Sequence, residues 1–296
     1  MAEQPGSDPA AIDSVFVAGA GLMGHGIAQV FAASGRRVAL YEPDRGRAEA
    51  GRDRIAGNLA RSVEKGRLAA AERDATLARI RATDRSGDAA GAKLVVEAIY
   101  EDLAVKRAFW AEVDSVAPPD AIFASNTSSI SIDRLAESVA VDRRSRLVGM
   151  HFFSPVPIMP LVELVRGSAT SDETAETIRA LSGDLGKQVI VSADRPGFLV
   201  NRMLMPFLAE AMRAFAEGVG TAEDIDTGAK IGLNHPMGPL ALADFIGLDV
   251  CLGIMVVLHD GLGLEQFEPP QVLKDLVAAG NLGQKTGRGF HAYPRA

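Results

Sequence analysis

The chain has 296 residues, 47% of them hydrophobic and 23% charged, with a formal net charge of −7. That composition is ordinary for a globular protein, and the length admits two domains at about 100–200 residues each. The acidic balance excludes nucleic acid as the main partner, because phosphate binding needs a basic face. One cysteine, Cys251, rules out an intramolecular disulfide and fits a reducing, cytoplasmic setting. The first ten residues, MAEQPGSDPA, lack the basic and apolar regions of a signal peptide. No run approaches the roughly 18 apolar residues of a membrane span, so no membrane partner is expected. The final Pro-Arg-Ala is not a peroxisomal address.

In chain order, residues 1–13 read as a frayed polar leader, followed by the apolar run 15–18, which ends at Gly19. β-rich runs recur at 38–41, 94–96, 122–124 and 147–150, with helical patterns such as 27–34, 48–65 and 71–81 between them. Strands alternating with helices predict a mainly parallel sheet covered on both faces. Two further β-rich runs, 162–165 and 189–191, come after a Pro-rich loop.

After Pro196 the texture changes. Residues 198–215 are apolar on nearly every face, which predicts a helix buried in a core or in a subunit interface. Thr221-Ala222-Glu223-Asp224 has the pattern of a capping box. Residues 232–239 read as a loop, and 240–245 and 248–258 as helices, the second carrying Cys251 as a small core residue. No strand signal follows residue 191. The expectation is an α/β domain over residues 1–194, then an all-α domain over 195–296 through which a homodimer forms.

Gly19-Ala20-Gly21-Leu22-Met23-Gly24 fits G-x-G-x-x-G, and its context makes the pattern informative. It follows an expected strand, opens an expected helix, and is followed about 20 residues on by an acid, Glu42, at the end of the next strand. Gly19 permits the tight turn, Gly21 the approach of a pyrophosphate, and Gly24 close packing of helix on strand. The helix N-terminus, with Leu22 and Met23 in its first turn, offers free N–H groups to phosphates. These features predict a Rossmann-type dinucleotide-binding domain. A carboxylate at Glu42 would accept hydrogen bonds from ribose hydroxyls and repel a 2′-phosphate, which favours NAD over NADP. Arg45 and Arg47 nearby pull the other way.

A second cluster follows the later strands. Ser125-Asn126-Thr127-Ser128-Ser129 comes after 122–124, and His151-Phe152-Phe153 after 147–150. Glu163 lies in the next β-rich run, and Asn201 early in the first helix beyond Pro196. Loops after successive parallel strands gather at the carboxyl edge of the sheet, where ligands bind. Ser128 and His151 are therefore expected on the edge that holds the cofactor.

With these residues in place the chain resembles the L-3-hydroxyacyl-CoA dehydrogenases. The likeness runs from about Ser14 to Tyr293, through VVEAIYEDLAVK (95–106), ASNTSSISI (124–132), GMHFFSPVPIMPLVELVRG (149–167), RPGFLVNR (195–202), EDID (223–226), NHPMGPLALADFIGLD (234–249) and LGQKTGRGFHAY (282–293). It implies that His151 is the general base for the 3-hydroxyl proton, and an imidazole, which titrates near neutrality, suits that task. It implies that Glu163 orients the ring and stabilises its charged form, and that Ser128 and Asn201 hydrogen-bond the reacting oxygen and the nicotinamide side. By the same likeness Glu101 and Lys106 contact the cofactor, and Arg61 and Lys65 contact the coenzyme A nucleotide. The implied substrate is a short acyl-CoA thioester; no metal is expected. His25, His235, His259 and His291 receive no role, and Asp244 and Asp249 read as helix-end or packing residues.

Two departures flank the catalytic strand: Ser154 where the family usually has Asn, and Pro160 where it usually has Lys. Ser154 keeps a rival open, the same chemistry on a hydroxyacyl group carried by an acyl carrier protein in polyketide extender-unit supply. A free hydroxy-acid dehydrogenase, resembling the gulonate dehydrogenase and lambda-crystallin branch, is a second rival, against which LGQKTGRGF, His151-Phe152-Phe153 and NHPMGPL argue. A non-catalytic NAD-binding protein is the third, disfavoured by the intact His151, Glu163, Ser128 and Asn201 set.

Overall fold

A computed structural model describes residues 11–294; most of the expected polar leader, and the last two residues, lie outside them. Cα packing divides the chain into two compact units, Met1–Asp194 and Arg195–Ala296.

The first unit opens with β1 (Ser14–Ala18), α1 (Leu22–Ala33), β2 (Arg37–Tyr41), α2 (Arg45–Glu64), α3 (Ala70–Ala78) and β3 (Ile80–Thr83). It continues with β4 (Leu94–Glu97), α4 (Leu103–Asp114), β5 (Ile122–Ser125), α5 (Ile132–Ala136), β6 (Leu147–Phe152), β7 (Leu161–Arg166), α6 (Asp172–Asp184) and β8 (Gln188–Ala193). The eight strands form one sheet in the order β3-β2-β1-β4-β5-β6-β7-β8. Every pair is parallel except β6 with β7. The chain leaves β1 in one direction for β2 and β3 and returns to β4 on its other side. That reversal opens a crevice at the carboxyl ends of β1 and β4.

All five residues of β1 are buried, as expected of a strand covered on both faces. Ile27 and Phe31 of α1 pack on one face of the sheet with Met150 and Phe152 of β6. On the other face Trp110 of α4 stacks on Phe123 of β5 with ring centroids 4.9 Å apart. The expected helix 71–81 is corrected: α3 stops at Ala78, and Ile80–Thr83 turns into an edge strand beside β2.

The second unit holds α7 (Val200–Ala216), α8 (Ala222–Thr227), α9 (Pro239–Ile246), α10 (Leu248–Leu262) and α11 (Gln271–Ala278). Its core gathers Met205, Leu208, Met212, Leu240, Leu248, Met255, Leu258 and Phe267. Beyond β8 the described residues form no strand, only isolated bridges at Gly283–Arg288 and Arg288–Ala292. Thr221 caps α8 by accepting from the Asp224 N–H at 3.1 Å.

One face of α7 meets the expected burial in a core. Its Met205, Leu208 and Met212 face is buried, whereas Met203 is 62% exposed. Cys251 is fully buried in α10, and burial pushes its thiol up to about 12, the behaviour of a packing residue.

Two buried carboxylates organise this unit. Asp226 accepts from the N–H groups of Leu240 (2.8 Å) and Ala241 (3.0 Å) at the start of α9, and pairs with His291 Nε2 at 2.7 Å. Asp244 accepts from the Phe290 and His291 N–H groups and from the Tyr293 hydroxyl. Among the described residues no single helix is long and apolar enough to cross a membrane, and α9 and α10, taken together, are bent by 97°.

Candidate active site

The site is built at the carboxyl edge of the first unit's sheet. At the end of β1, Gly19 takes φ +95°, and a Cβ on Gly24 would run into the Gly19 carbonyl oxygen. Only glycine fits the first position without strain, and only hydrogen fits the second. Gly21 has open space around its missing Cβ, and no side chain caps α1 there, so the first-turn N–H groups of Leu22 and Met23 face that space. At the end of β2, Glu42 Oε1 accepts from the Ala20 N–H at 3.1 Å and lies 3.6 Å from Arg47. The neighbouring carboxylate and the glycine loop are thus held as one piece.

Register places the remaining groups. Ala18 pairs with Glu97, Glu97 with Ser125, and Ser125 with Gly149, so the ends of β1, β4, β5 and β6 lie side by side. Glu97 is fully buried; it accepts from the Lys106 ammonium, from Ser125 Oγ (2.7 Å) and from the Ile99 N–H (3.0 Å). Burial pushes its carboxyl above the usual range, while Lys106 and Ser125 pull against that. Lys106, 1% exposed, also meets Glu101 at 3.1 Å.

Glu101 gathers the loop after β5. Its Oε1 accepts from Thr127 Oγ1 (2.5 Å), from the N–H groups of Ser128 (3.0 Å) and Ser129 (3.2 Å), and from Ser129 Oγ (3.0 Å). Burial alone would raise this carboxyl. Lys106 and these donors outweigh it and hold Glu101 below its ordinary value. Ser128 therefore sits on a loop fixed by a charged hub. Lys106, which the family likeness places on the cofactor, is covered and reaches that loop through Glu101.

His151 and Glu163 face each other across the antiparallel β6–β7 pair. His151 Nδ1 lies 2.9 Å from Glu163 Oε2; the histidine is 6% exposed and the glutamate fully buried. With a proton on Nδ1 the ring would donate to that carboxylate and present Nε2 as the acceptor, the tautomer a general base needs. Asn126 Oδ1 accepts from the Phe152 N–H at 2.8 Å and ties the Ser128 loop to the strand that carries His151.

Arg61 and Lys65, at the end of α2, line a cavity of about 250 Å³ with His25 and Gln29 of α1 and residues 154–158. Arg61 donates to Asn58 within its own helix. Asn201 is buried in the first turn of α7, in the helical unit.

Sequence reasoning missed Glu97 and Asn126. Each stands beside a residue that was singled out, and a strand-end acid in register with Gly19's neighbour was the available signal. His25, given no role, lies with Nδ1 2.6 Å from the Gly21 carbonyl and borders the cavity. Asp244 is a buried packing residue, and Asp249 stands in the first turn of α10, where Lys285 pairs with it.

Comparison with known proteins decides the family. The family model described as the NAD-binding domain of 3-hydroxyacyl-CoA dehydrogenase matches residues 14–195, and that of the C-terminal domain matches 197–293. The chain belongs to the 3-hydroxyacyl-CoA dehydrogenase family. It is 49% identical to a 3-hydroxybutyryl-CoA dehydrogenase of Bradyrhizobium diazoefficiens over 96% of both chains. It is 47% identical to a probable 3-hydroxybutyryl-CoA dehydrogenase of Bacillus subtilis, over 95% of this chain and 98% of that one. The crystal structure of (S)-3-hydroxybutyryl-CoA dehydrogenase PaaH1 from Ralstonia eutropha superposes with a TM-score of 0.92 at 43% identity, covering 96% of this chain and 100% of the other.

The cofactor of this family is NAD, and the residues present fit it. The open space at Gly21, the uncapped start of α1 and the carboxylate of Glu42 form the cradle that a diphosphate and an unphosphorylated ribose require.

Proposed function

We propose that this chain interconverts (3S)-3-hydroxyacyl-CoA and 3-oxoacyl-CoA with NAD, and that its working pair is 3-hydroxybutyryl-CoA and acetoacetyl-CoA. The buried His151–Glu163 pair, on the edge of the sheet that holds the dinucleotide cradle, is the observation that carries this reading. The printed names of the Bradyrhizobium, Bacillus and Ralstonia proteins support the short acyl chain.

Bound NAD supplies the acceptor for the hydride that leaves C3. His151 Nε2 takes the proton of the 3-hydroxyl as that carbon is oxidised and returns it in the reverse direction. Glu163 fixes the tautomer and offsets the positive charge that develops on the ring. Ser128 and Asn201 hold the reacting oxygen and the nicotinamide side, and Glu101 fixes the loop of Ser128. Glu42 selects the unphosphorylated ribose, while Arg61 and Lys65 hold the anionic end of coenzyme A. In this reading the α/β unit, 1–194, binds NAD, and the helical unit, 195–296, carries substrate and dimer contacts. Exposed Met203, Ile231 and Leu233, at 62%, 81% and 62%, supply apolar surface for a homodimer. A single buried thiol fits work in the reducing cytoplasm.

The test is a rate panel read by NADH consumption: acetoacetyl-CoA, longer 3-oxoacyl-CoA esters, acetoacetyl carried on an acyl carrier protein, and free acetoacetate. Acetoacetyl-CoA should give the highest kcat/KM. A higher value on the carrier-bound group transfers the reading to carrier chemistry. Turnover of the free acid alone, or of nothing, overturns it.

A further inference from the structure

Lys187 stands between α6 and β8 and is 8% exposed. Its ammonium donates to the carbonyls of Val156 (2.6 Å) and Met159 (2.8 Å), and it meets no carboxylate at ion-pair distance among the described residues. Burial holds its pKa below the ordinary lysine value. An ammonium taken out of water without a counter-charge is costly, and its hydrogen bonds to carbonyls are of the strong, charge-assisted kind. Both of those bonds go to a single turn.

That turn closes the β6–β7 hairpin, whose two strands carry His151 and Glu163. The Pro155 carbonyl accepts from the Ile158 and Met159 N–H groups, each at 2.9 Å, and the Pro160 carbonyl accepts from the Gln188 N–H at 2.6 Å. On its inner side Val156, 2% exposed, packs against α1 so closely that a Cβ on Gly26 would come within 2.9 Å of the Val156 Cβ. With His25, Gly26 and Gln29 of α1, residues 154–158 form the wall of the cavity that Arg61 and Lys65 line. The turn is thus wedged between Lys187 and α1.

We propose that Lys187 is a positioning residue for binding of the coenzyme A substrate: it fixes the turn 155–159, and with it the wall of the cavity that Arg61 and Lys65 line, without touching the reacting atoms. The inference rests on the reading of that cavity given above. It predicts a split between binding and chemistry. The His151–Glu163 pair lies in a ladder from Gly149–Val165 to Phe152–Val162 whose strands are also held by β5 on one side and β8 on the other, so a loosened turn leaves the pair in register.

The experiment compares wild type, Lys187→Met and Lys187→Arg by steady-state kinetics with acetoacetyl-CoA, by fluorescence titration of NADH, and by hydrogen exchange at the Ile158 and Met159 amides. Lys187→Met should raise KM about tenfold or more, leave kcat and the NADH Kd within about twofold, and speed exchange at both amides. Lys187→Arg, which keeps charge and donors, should recover most of the KM. Lys187→Gln, which keeps an NH2 group but no charge, reads the same quantities should Lys187→Met not fold. An unchanged KM in a folded variant overturns the inference, as does a joint fall in kcat and NADH affinity. Either result with an active wild type leaves the proposed function standing. A wild type inactive on every thioester overturns the proposed function and the inference together.

Discussion

Replacing Lys106 with Met tests the charge network beneath the cofactor edge. The side chains of Lys106 and Glu97 are 1% and 0% exposed, so the substitution leaves a carboxylate buried with its counter-charge gone. Removing one partner of a buried pair costs about 3–5 kcal/mol. A unit of this size loses about 2–4 °C of Tm per kcal/mol, so its unfolding should fall by roughly 6–20 °C.

The pH dependence has a definite sign. Glu97 is raised by burial, so its contribution is full below its unfolded pKa and is lost as pH rises through the folded value; Lys106 opposes that loss. Glu101 is lowered, against its own burial, chiefly by Lys106. Its contribution is present above the unfolded pKa and lost as pH falls. Removing Lys106 deepens the first loss and cancels the second gain. The Tm deficit should therefore widen from about pH 5 to about pH 8, followed by calorimetry or circular dichroism. The double variant Glu97→Gln/Lys106→Met should regain part of the stability, because Glu97 no longer leaves a buried charge unpaired, while Glu101 keeps only its donors from Thr127, Ser128 and Ser129. A deficit under about 3 °C at pH 8, or one that widens towards acid, would refute the reasoning.

Two further outcomes follow from the binding groups. Wild type should give a higher kcat/KM with NADH than with NADPH, and Glu42→Ala should narrow that ratio; a wild-type preference for NADPH contradicts the role given to Glu42. Changing Arg61 and Lys65 together to Ala should raise KM for the coenzyme A thioester with kcat little changed, the mark of lost uniform binding. A thioester truncated at pantetheine should not feel the change, and an unchanged KM on the full thioester returns both residues to the role of a solvated helix face.

The parts legible in the sequence are those where a short segment must satisfy one strict local demand. The turn after β1 needs glycine at Gly19 and Gly24, and the buried strands β1, β4 and β5 admit little but apolar residues, so both show in the letters. His151 and Glu163 were placed on adjacent strands by motif, but their pairing depends on β7 running antiparallel to β6, which a local pattern does not carry. The edge strand Ile80–Thr83 was read as helix because it follows the Ala-rich α3, and four residues are too few to establish a period of two. An all-round apolar pattern in α7 does not tell a core face from an interface face, and only the packed chain separates buried Met205 from exposed Met203. The likeness puts Lys106 on the cofactor, and nothing in the letters marks Lys187. Only the packed structure reveals that one is taken up by two carboxylates and the other by two carbonyls.

The most direct test of the central claim is the turnover of His151→Gln on acetoacetyl-CoA with NADH, alongside its NADH Kd and its folding. General acid–base action by a positioned side chain contributes typically about 10²–10⁴-fold, so kcat should fall by that factor. NADH affinity should stay near wild type, because the phosphate cradle belongs to the β1–α1 turn. A folded His151→Gln enzyme with near-normal turnover would contradict the mechanism and the assignment of this edge as the active site.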